Sequence, residues 1–413
     1  MNVLGHLNSI IANSTVDVFR LLPELASTGV IWTDLPTTVK KSIIGIVDKY
    51  LDNNSSIPTT DDMLTSLVSL SVKLSDFPKT VKTKMTALIN TNSATNKNAA
   101  RIIRNLGNLN ANISDIVTTN TNSAGSLDKF LEDMDANDII ILLKGLTKSG
   151  LKYQNTGYFS DFSWTSIIDT LLPKKTTNMS SKDFSSVVLL FGRLGVTDIE
   201  DRLLSLTGSY VDSMTIKGIK LNISINKILT IILIELLDTL MGFSLLNLNW
   251  QRLPTTLASQ LMKRLHHFIA KSIDTDANTD YIGVANTVKL LRCLANLNIN
   301  IDTTVSDNAK ENFNKIMINI SSYLGHHNGT ITATQAESIL RSMHQLNLNA
   351  GADIDTKRLV NIMIEKVCDF ADNSNTNDGD YTTSKGYNDE KKSRQLIKMK
   401  PPATLKLFAD IGF

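Results

Sequence analysis

The amino-acid sequence predicts an all-α protein, a right-handed α-solenoid of about nine two-helix repeats of roughly 40 residues each. Three observations support this fold class: a proline motif that returns, a helix stop that recurs along the chain, and apolar residues at helical spacing before each stop. The chain has 413 residues, of which 42% are hydrophobic. This length exceeds what one compact core usually holds, and a stacked array avoids that limit because each repeat needs only its neighbours.

The proline motif occurs at residues 32–39, 74–81 and 250–257. Each copy begins with tryptophan or leucine, has proline at its fifth position and is followed by a helical pattern, as in Trp32 to Pro36. Proline is tolerated in the first turn of a helix, where its missing N–H costs nothing, and a small polar or acidic residue caps the free N–H groups there. We therefore expect each copy to begin a helix, with the proline in the first turn.

A second pattern marks where helices end. A Gly, Asn or Ser followed by an apolar residue ends an apolar run, and such residues tolerate the left-handed backbone on which helices commonly stop. The nine steps are Gly29-Val30, Ser71-Val72, Asn110-Ala111, Gly150-Leu151, Gly195-Val196, Gly242-Phe243, Asn298-Ile299, Asn347-Leu348 and Gly412-Phe413. Successive stops lie 39 to 65 residues apart, which indicates loops of variable length around a constant helix pair. We call the helix before each stop the first helix of its repeat.

The first helices share one apolar face. Counting back eight, seven, four and one residues from the stop at Asn298 gives Leu290, Leu291, Leu294 and Leu297. At about 100° per residue these positions lie on one side of a helix. The third residue before the stop is small in most copies, as at Gly107, so a neighbouring repeat can approach closely. The copy that ends at Gly242 fits less well, because Leu237 and Leu240 imply a slip of one residue.

A polar stripe lies opposite this apolar face. Six residues before the stop stand cations in several copies, and four residues further on stand cations or amides. Stacked first helices would align these side chains into a row. Arginine and lysine suit phosphates, whereas asparagine and glutamine suit the base edges of unpaired nucleotides. The candidate RNA-binding residues are Arg104, Asn108, Lys144, Lys148, Arg193, Arg292, Asn296, Arg341 and Gln345. A merely solvated surface collects the same cations, and the recurrence of amides beside arginines favours the binding function.

These repeats resemble the octotricopeptide repeats and the related helical arrays of RAP-domain and FAST-kinase-like organellar proteins. The resemblance is carried by the motifs at Trp32 and Trp250 and by the leucine patterns Leu142-Leu143-x-x-Leu146-x-x-x-Gly150 and Leu290-Leu291-x-x-Leu294-x-x-Leu297-Asn298. It implies that the first helices bind single-stranded RNA and control the stability, processing or translation of transcripts in a mitochondrion or chloroplast. The chain shows no RAP domain after the array and no evident transit peptide, so a cytoplasmic location stays open.

The alternative is a HEAT- or armadillo-like scaffold that binds protein segments. A net charge of +2 is too small to demand a polyanionic partner by itself. A continuous positive groove lined with amides would favour RNA, and an apolar or mixed groove would favour a peptide.

Little in the sequence indicates catalysis. Walker, GxGxxG, Gly-x-Ser-x-Gly and Cys-x-x-Cys motifs are absent from the sequence, so we expect no enzyme, cofactor, metal or small-molecule substrate. Cys293 and Cys368 lie in apolar helical patterns and are predicted to be core thiols. The histidines are adjacent in the pairs His266-His267 and His326-His327. On a helix the two side chains of such a pair point about 100° apart, which favours structural roles over a shared metal. The apolar run 228–241 contains two carboxylates and is predicted to be a buried helix, so no membrane contact is expected.

The predicted domains are a helical-repeat array over residues 1–371, a disordered acidic and Asn-rich insertion over 372–393, and a partial last repeat over 394–413. The insertion has almost no aliphatic residues, which is typical of segments that cannot bury a core. The last stretch restarts the apolar pattern with Leu405, Phe408 and Ile411.

Deleting residues 372–393 is expected to leave the cooperative thermal unfolding of the protein intact, because a segment without apolar residues adds little to a core. Circular dichroism at increasing temperature measures this. Loss of the single cooperative transition would contradict the assignment of this segment as an insertion.

Overall fold

A computed structural model describes residues 15–52, 57–91, 96–120, 127–131, 134–154, 158–172, 180–197, 199–213, 225–273, 283–299, 307–326, 331–346, 348 and 354–373. Within these residues all regular structure is helical and no strand forms, which confirms the all-α class. The last described helix ends at Asn373. The remainder of the predicted insertion, residues 374–393, and the predicted partial repeat 394–413 lie outside the described residues.

The described ranges contain sixteen α-helices and four 3-10 turns. The first eight helices are α1 (Thr15–Ser27), α2 (Thr37–Asp52), α3 (Ile57–Ser69), α4 (Lys79–Thr91), α5 (Asn96–Asn108), α6 (Ile113–Asn120), α7 (Ala136–Lys148) and α8 (Asp161–Leu171). The next eight are α9 (Ser181–Leu194), α10 (Glu200–Ser213), α11 (Ile225–Leu245), α12 (Thr255–Ile273), α13 (Val284–Asn296), α14 (Asp307–His326), α15 (Ala333–Gln345) and α16 (Ile354–Asn373). The 3-10 turns are Trp32–Asp34, Leu74–Asp76, Asp128–Leu131 and Trp250–Arg252. Odd-numbered helices are first helices, and even-numbered ones are second helices.

The chain forms two compact units. The N-terminal unit comprises Met1–Lys175 and Arg193–Val196, and the C-terminal unit comprises Thr176–Gly192 and Thr197–Phe413. In the N-terminal unit, α1, α3, α5 and α7 pack successively, and α2, α4 and α6 do the same. In the C-terminal unit, α11, α13 and α15 pack successively, as do α10, α12, α14 and α16. Within each unit, therefore, first helices lie beside first helices and second helices beside second helices.

The predicted helix stops adopt the left-handed backbone at every described position except Gly242. Six of the predicted residues have positive φ: Gly29, Ser71, Asn110, Gly150, Gly195 and Asn298. At three of these stops the next residue donates its N–H to a carbonyl in the last turn: Val72 to Leu67 O at 3.2 Å, Ala111 to Leu106 O at 2.9 Å and Leu151 to Leu146 O at 2.9 Å. This bond satisfies one of the carbonyls that a helix end leaves without a partner.

The stop predicted at Gly242 is wrong. Gly242 lies inside α11, and the left-handed residue is Asn247, with φ of 55°. Leu248 then donates its N–H to Phe243 O at 3.1 Å, which is the bond seen after Ser71, Asn110 and Gly150. The helix therefore runs five residues further than predicted.

Gly242 is small because two first helices touch there. A Cβ on Gly242 would lie 2.6 Å from Val188 O, and a Cβ on Gly145 would lie 2.6 Å from Ile103 O. Gly145 lies five residues before the stop at Gly150, and Gly242 lies five residues before Asn247. The residues that they face, Ile103 and Val188, each lie seven residues before the stop of the preceding repeat. The two contacts are the same contact in two repeats, which supports the corrected position independently.

The proline motif folds differently from the expectation. Trp32–Asp34 forms a 3-10 turn, and the carboxylate of Asp34 accepts the N–H of Ile31 at 3.1 Å. The following helix begins one residue after Pro36, whose carbonyl accepts the N–H of Lys40 at 3.0 Å. Proline is thus the N-cap and the acidic residue caps the 3-10 turn. The same arrangement holds at Pro78, where the Asp76 carboxylate caps the preceding turn.

A repeated backbone hydrogen bond joins neighbouring repeats at five places in the described part of the chain. The third residue after a stop donates its N–H to the carbonyl of the residue just before the following stop. The described bonds are Trp32 to Leu70 (2.8 Å), Leu74 to Leu109 (2.6 Å), Ile113 to Ser149 (2.8 Å), Tyr153 to Leu194 (2.8 Å) and Trp250 to Leu297 (2.8 Å). Each pair lies within one unit. The bond sets the same offset between neighbouring first helices wherever it forms.

The apolar faces of the first helices are buried as predicted, for example at Leu290, Leu291 and Leu294. The apolar run 228–241 is only partly buried, which corrects the expectation of a buried helix. In α11 the side chains of Ile231 and Ile234 are 45% and 40% exposed. These residues lie on the side of α11 that the buried leucines do not occupy.

Replacing Gly145 by alanine is expected to destabilise the protein by about 1–3 kcal/mol, because the new methyl group would overlap the backbone of α5. Its Cβ would lie 2.5 Å from Arg104 Cα. Gly45 in α2 is the matched control: nothing lies within 4 Å of its Cβ position, so Gly45→Ala should stabilise the helix by about 0.5–1 kcal/mol. Urea unfolding of both variants measures this, and equal stabilities would contradict the close contact.

Candidate nucleic-acid interface

The nine candidate RNA-binding residues lie on the outward sides of first helices. Two of them, Arg104 and Asn108, are half-buried. The other seven are exposed: Lys144, Lys148, Arg193, Arg292, Asn296, Arg341 and Gln345. The stripe deduced from the sequence is therefore a surface feature of α5, α7, α9, α13 and α15.

In the N-terminal unit, the stripe brings two helices together. Lys148 Nζ donates to Asn108 Oδ1 at 2.5 Å. Both residues stand two positions before their stops, so matching positions of α5 and α7 meet directly. Arg193 belongs to the same unit, and its carbonyl accepts a hydrogen bond from Lys152 Nζ at 2.7 Å. That bond engages the backbone of Arg193 and leaves the guanidinium out of the contact.

Arg104 differs from the other cations of the stripe. Its Cα lies against Gly145 at the α5–α7 contact. Its Nε is buried and has no hydrogen-bond partner among the described residues. The stem of this arginine therefore packs at the helix contact, and the side chain contributes apolar contact area as well as charge.

In the C-terminal unit, the stripe occupies α13 and α15. Asn296 Nδ2 donates to Ser244 Oγ of α11 at 3.0 Å. Arg341 Nη2 lies 2.7 Å from Glu337 Oε1, one turn earlier on the same helix. An exposed pair of this spacing contributes only about 0.3–0.5 kcal/mol, so a stronger anionic partner can displace the carboxylate.

Correcting the stop to Asn247 changes which residues of α11 belong to the stripe. Met241 and Leu245 now occupy the positions that hold cations or amides in other repeats, and the Leu245 side chain is 41% exposed. The sequence held a signal for this correction. Stops precede the first residue of the proline motif by three positions in the other copies, and Asn247 precedes Trp250 by three.

Cys293 is a core thiol, as predicted. Cys293 is buried and free, and its Sγ lies 3.9 Å from Met241 Sδ. Burial raises the pKa of this thiol to about 11, so it is uncharged at neutral pH and unsuited to nucleophilic attack or metal binding. The side chain of Cys368 lies outside the described residues.

Among the described residues, no group of three or more His, Cys, Asp or Glu side chains is placed to hold a metal ion. His266 and His267 both lie on α12. Of the second pair, His327 and the side chain of His326 lie outside the described residues. None of the described helices combines the length and the hydropathy that crossing a bilayer requires.

Comparison with known proteins adds no assignment. No protein-family model matches the chain, and no curated protein matches it.

Cys293 is expected to stay unmodified by iodoacetamide at pH 8 in the native protein, because burial and the raised pKa of its thiol suppress the reactive thiolate. In guanidinium chloride the same residue should be alkylated rapidly. Mass spectrometry of the Cys293 peptide reports it separately from Cys368. Alkylation of the native protein at the denatured rate would contradict the buried position.

Proposed function

We propose that this chain is a right-handed α-solenoid of octotricopeptide-repeat type that binds single-stranded RNA through its first helices. Its function would then be selective control of the stability, processing or translation of transcripts, in a mitochondrion or chloroplast as the family resemblance implies. The partner in this proposal is an unpaired RNA strand, and no catalytic step is assigned to the protein.

The observation that carries the proposal is the direct contact between matching stripe positions of neighbouring first helices. Lys148 meets Asn108 across α5 and α7 in this way. Across α11 and α13, Asn296 meets Ser244, the residue next to the stripe position that Leu245 occupies. Because the backbone bond sets a constant offset between repeats, the residue four positions earlier on each helix is aligned as well. This arrangement supports a row in which cations and amides of successive repeats follow one another.

The chemistry of that row suits a single strand of RNA. The guanidinium and ammonium groups can neutralise successive phosphates, and the amides of Asn108, Asn296 and Gln345 can donate to and accept from unpaired base edges. The amide oxygen of Asn108 already accepts a hydrogen bond from Lys148. The amide N–H groups of Asn108 take no part in that bond. Exposed cations of this kind form and exchange contacts at little cost.

A protein-binding scaffold of HEAT or armadillo type is the second candidate. The specific observation in its favour is the apolar content of the same positions in the C-terminal unit: Leu189 on α9, and Met241 and Leu245 on α11. Leu245, Ile231 and Ile234 are among the most exposed large apolar side chains in the described part of the chain. A mixed surface of this kind also suits an amphipathic peptide segment.

The two candidates differ in their dependence on salt. The log of the affinity for single-stranded RNA should fall with the log of salt concentration by roughly 0.7 for each phosphate contact. Changing Arg104, Lys144, Arg292 and Arg341 together to alanine should weaken binding of a random-sequence RNA pool and reduce this slope. Fluorescence anisotropy at several salt concentrations measures both quantities.

A matched control removes four exposed lysines outside the first helices, at Lys41, Lys49, Lys73 and Lys79. Its net charge equals that of the stripe variant, so any general effect of charge appears equally in both. Equal affinities and equal salt slopes for the two variants would contradict the RNA proposal and favour the scaffold.

Changing Gln345 to alanine tests base recognition separately from phosphate contact. The affinity for the random pool should change little, whereas the sequences enriched by selection should lose their preference at one position. Glu337→Gln should instead raise the affinity for every RNA sequence without changing the sequence preference, because it removes the carboxylate that pairs with Arg341. Sequencing of RNA selected by each variant makes the comparison.

A further inference from the structure

The second helices of the C-terminal unit carry a cleft that the RNA proposal does not use. It lies between α12 and α14 and has a volume of about 660 Å³. Its lining includes Lys263, Arg264, His266 and His267 from α12 and Asn312 from α14. This volume is within the range of small-molecule sites, which is about 300–1,000 Å³.

The cleft exists because the two helices bury only their apolar sides. Leu261, Leu265 and Phe268 of α12 face the core together with Phe313 and Ile316 of α14. Gln260, Lys263, Arg264 and His267 recur at helical spacing on the other side of α12 and line the cleft. Ala270 stands at the end of this series and leaves room beside it.

The charges in and around the cleft favour an anion. None of the residues that line it in the described part of the chain is a carboxylate. The carboxylate of Glu311 on α14 acts on His266, and it is paired with Lys315 at 2.5 Å. Burial, and then the nearby Lys315 ammonium, lower the pKa of His266, which places a further cation close to this imidazole.

We infer that this cleft binds a small phosphate ester or a similar oxyanion. Arginine presents a planar pair of donors that matches phosphate, and lysine adds a point charge. A guanidinium and an ammonium on neighbouring residues can together satisfy several oxygens of one anion. The site is on second helices, whereas the RNA-binding stripe is on first helices, so the inference stands apart from the proposed function. It also goes beyond the expectation, drawn from the absence of catalytic motifs, that no small molecule is involved.

Isothermal titration of the full-length protein with inorganic pyrophosphate tests the inference. The wild-type protein should bind pyrophosphate, and Lys263→Gln with Arg264→Gln should weaken binding at least about tenfold, since two charged hydrogen-bond donors are lost. The control Lys41→Gln with Lys49→Gln removes the same charge from α2 and should bind as the wild type does. The single variant Lys263→Glu changes an exposed residue. It should also abolish the binding of pyrophosphate without affecting the fold.

Two results would overturn the inference. One is the absence of pyrophosphate binding to the wild type, or equal binding by the cleft variant and the control. The other is a loss of RNA affinity in the cleft variant while pyrophosphate does not bind, since the cleft would then belong to a nucleic-acid surface. If the stripe variants did not affect RNA binding, the pyrophosphate titration would still test the cleft. The RNA proposal and the cleft proposal can therefore be contradicted independently.

Discussion

The backbone hydrogen bond between repeats is the constraint on which the rest of the structure depends. It joins the N–H three residues after one stop to the carbonyl just before the next, as from Trp32 to Leu70 and from Trp250 to Leu297. A left-handed residue must turn the chain for that N–H to reach its acceptor. Where both conditions hold, neighbouring first helices have the same offset, whatever the length of the loops between them.

That offset explains contacts that are otherwise unrelated. It brings Gly107 against Gly145, where a side chain on either partner would overlap backbone atoms. Gly192 and Gly242 make the same kind of contact. The offset also brings Lys148 to Asn108 on the outer side of α5 and α7. One geometric rule thus controls both the closest backbone approach and the alignment of the polar stripe.

The two rows of helices present different chemistry. First helices carry exposed cations and amides in several repeats, with apolar Met241 and Leu245 in α11. Second helices carry a basic cleft with two adjacent histidines at residues 266 and 267. Because the core uses only one side of each helix, the other side is free to vary in charge without loss of packing. This freedom is why one repeat pattern can hold two surfaces of different chemistry.

The sequence by itself determined the helical class, the buried faces of the first helices and most of the stops, because left-handed backbone and helical periodicity are local properties. The stripe of candidate residues followed from the same periodicity. The tertiary structure decided the role of Gly242, since glycine suits both a stop and a close helix contact, and the approach of Val188 shows that Gly242 makes the contact. It also decided that His266 and His267 line a cleft, because Asn312 of α14, from a distant part of the sequence, completes the lining.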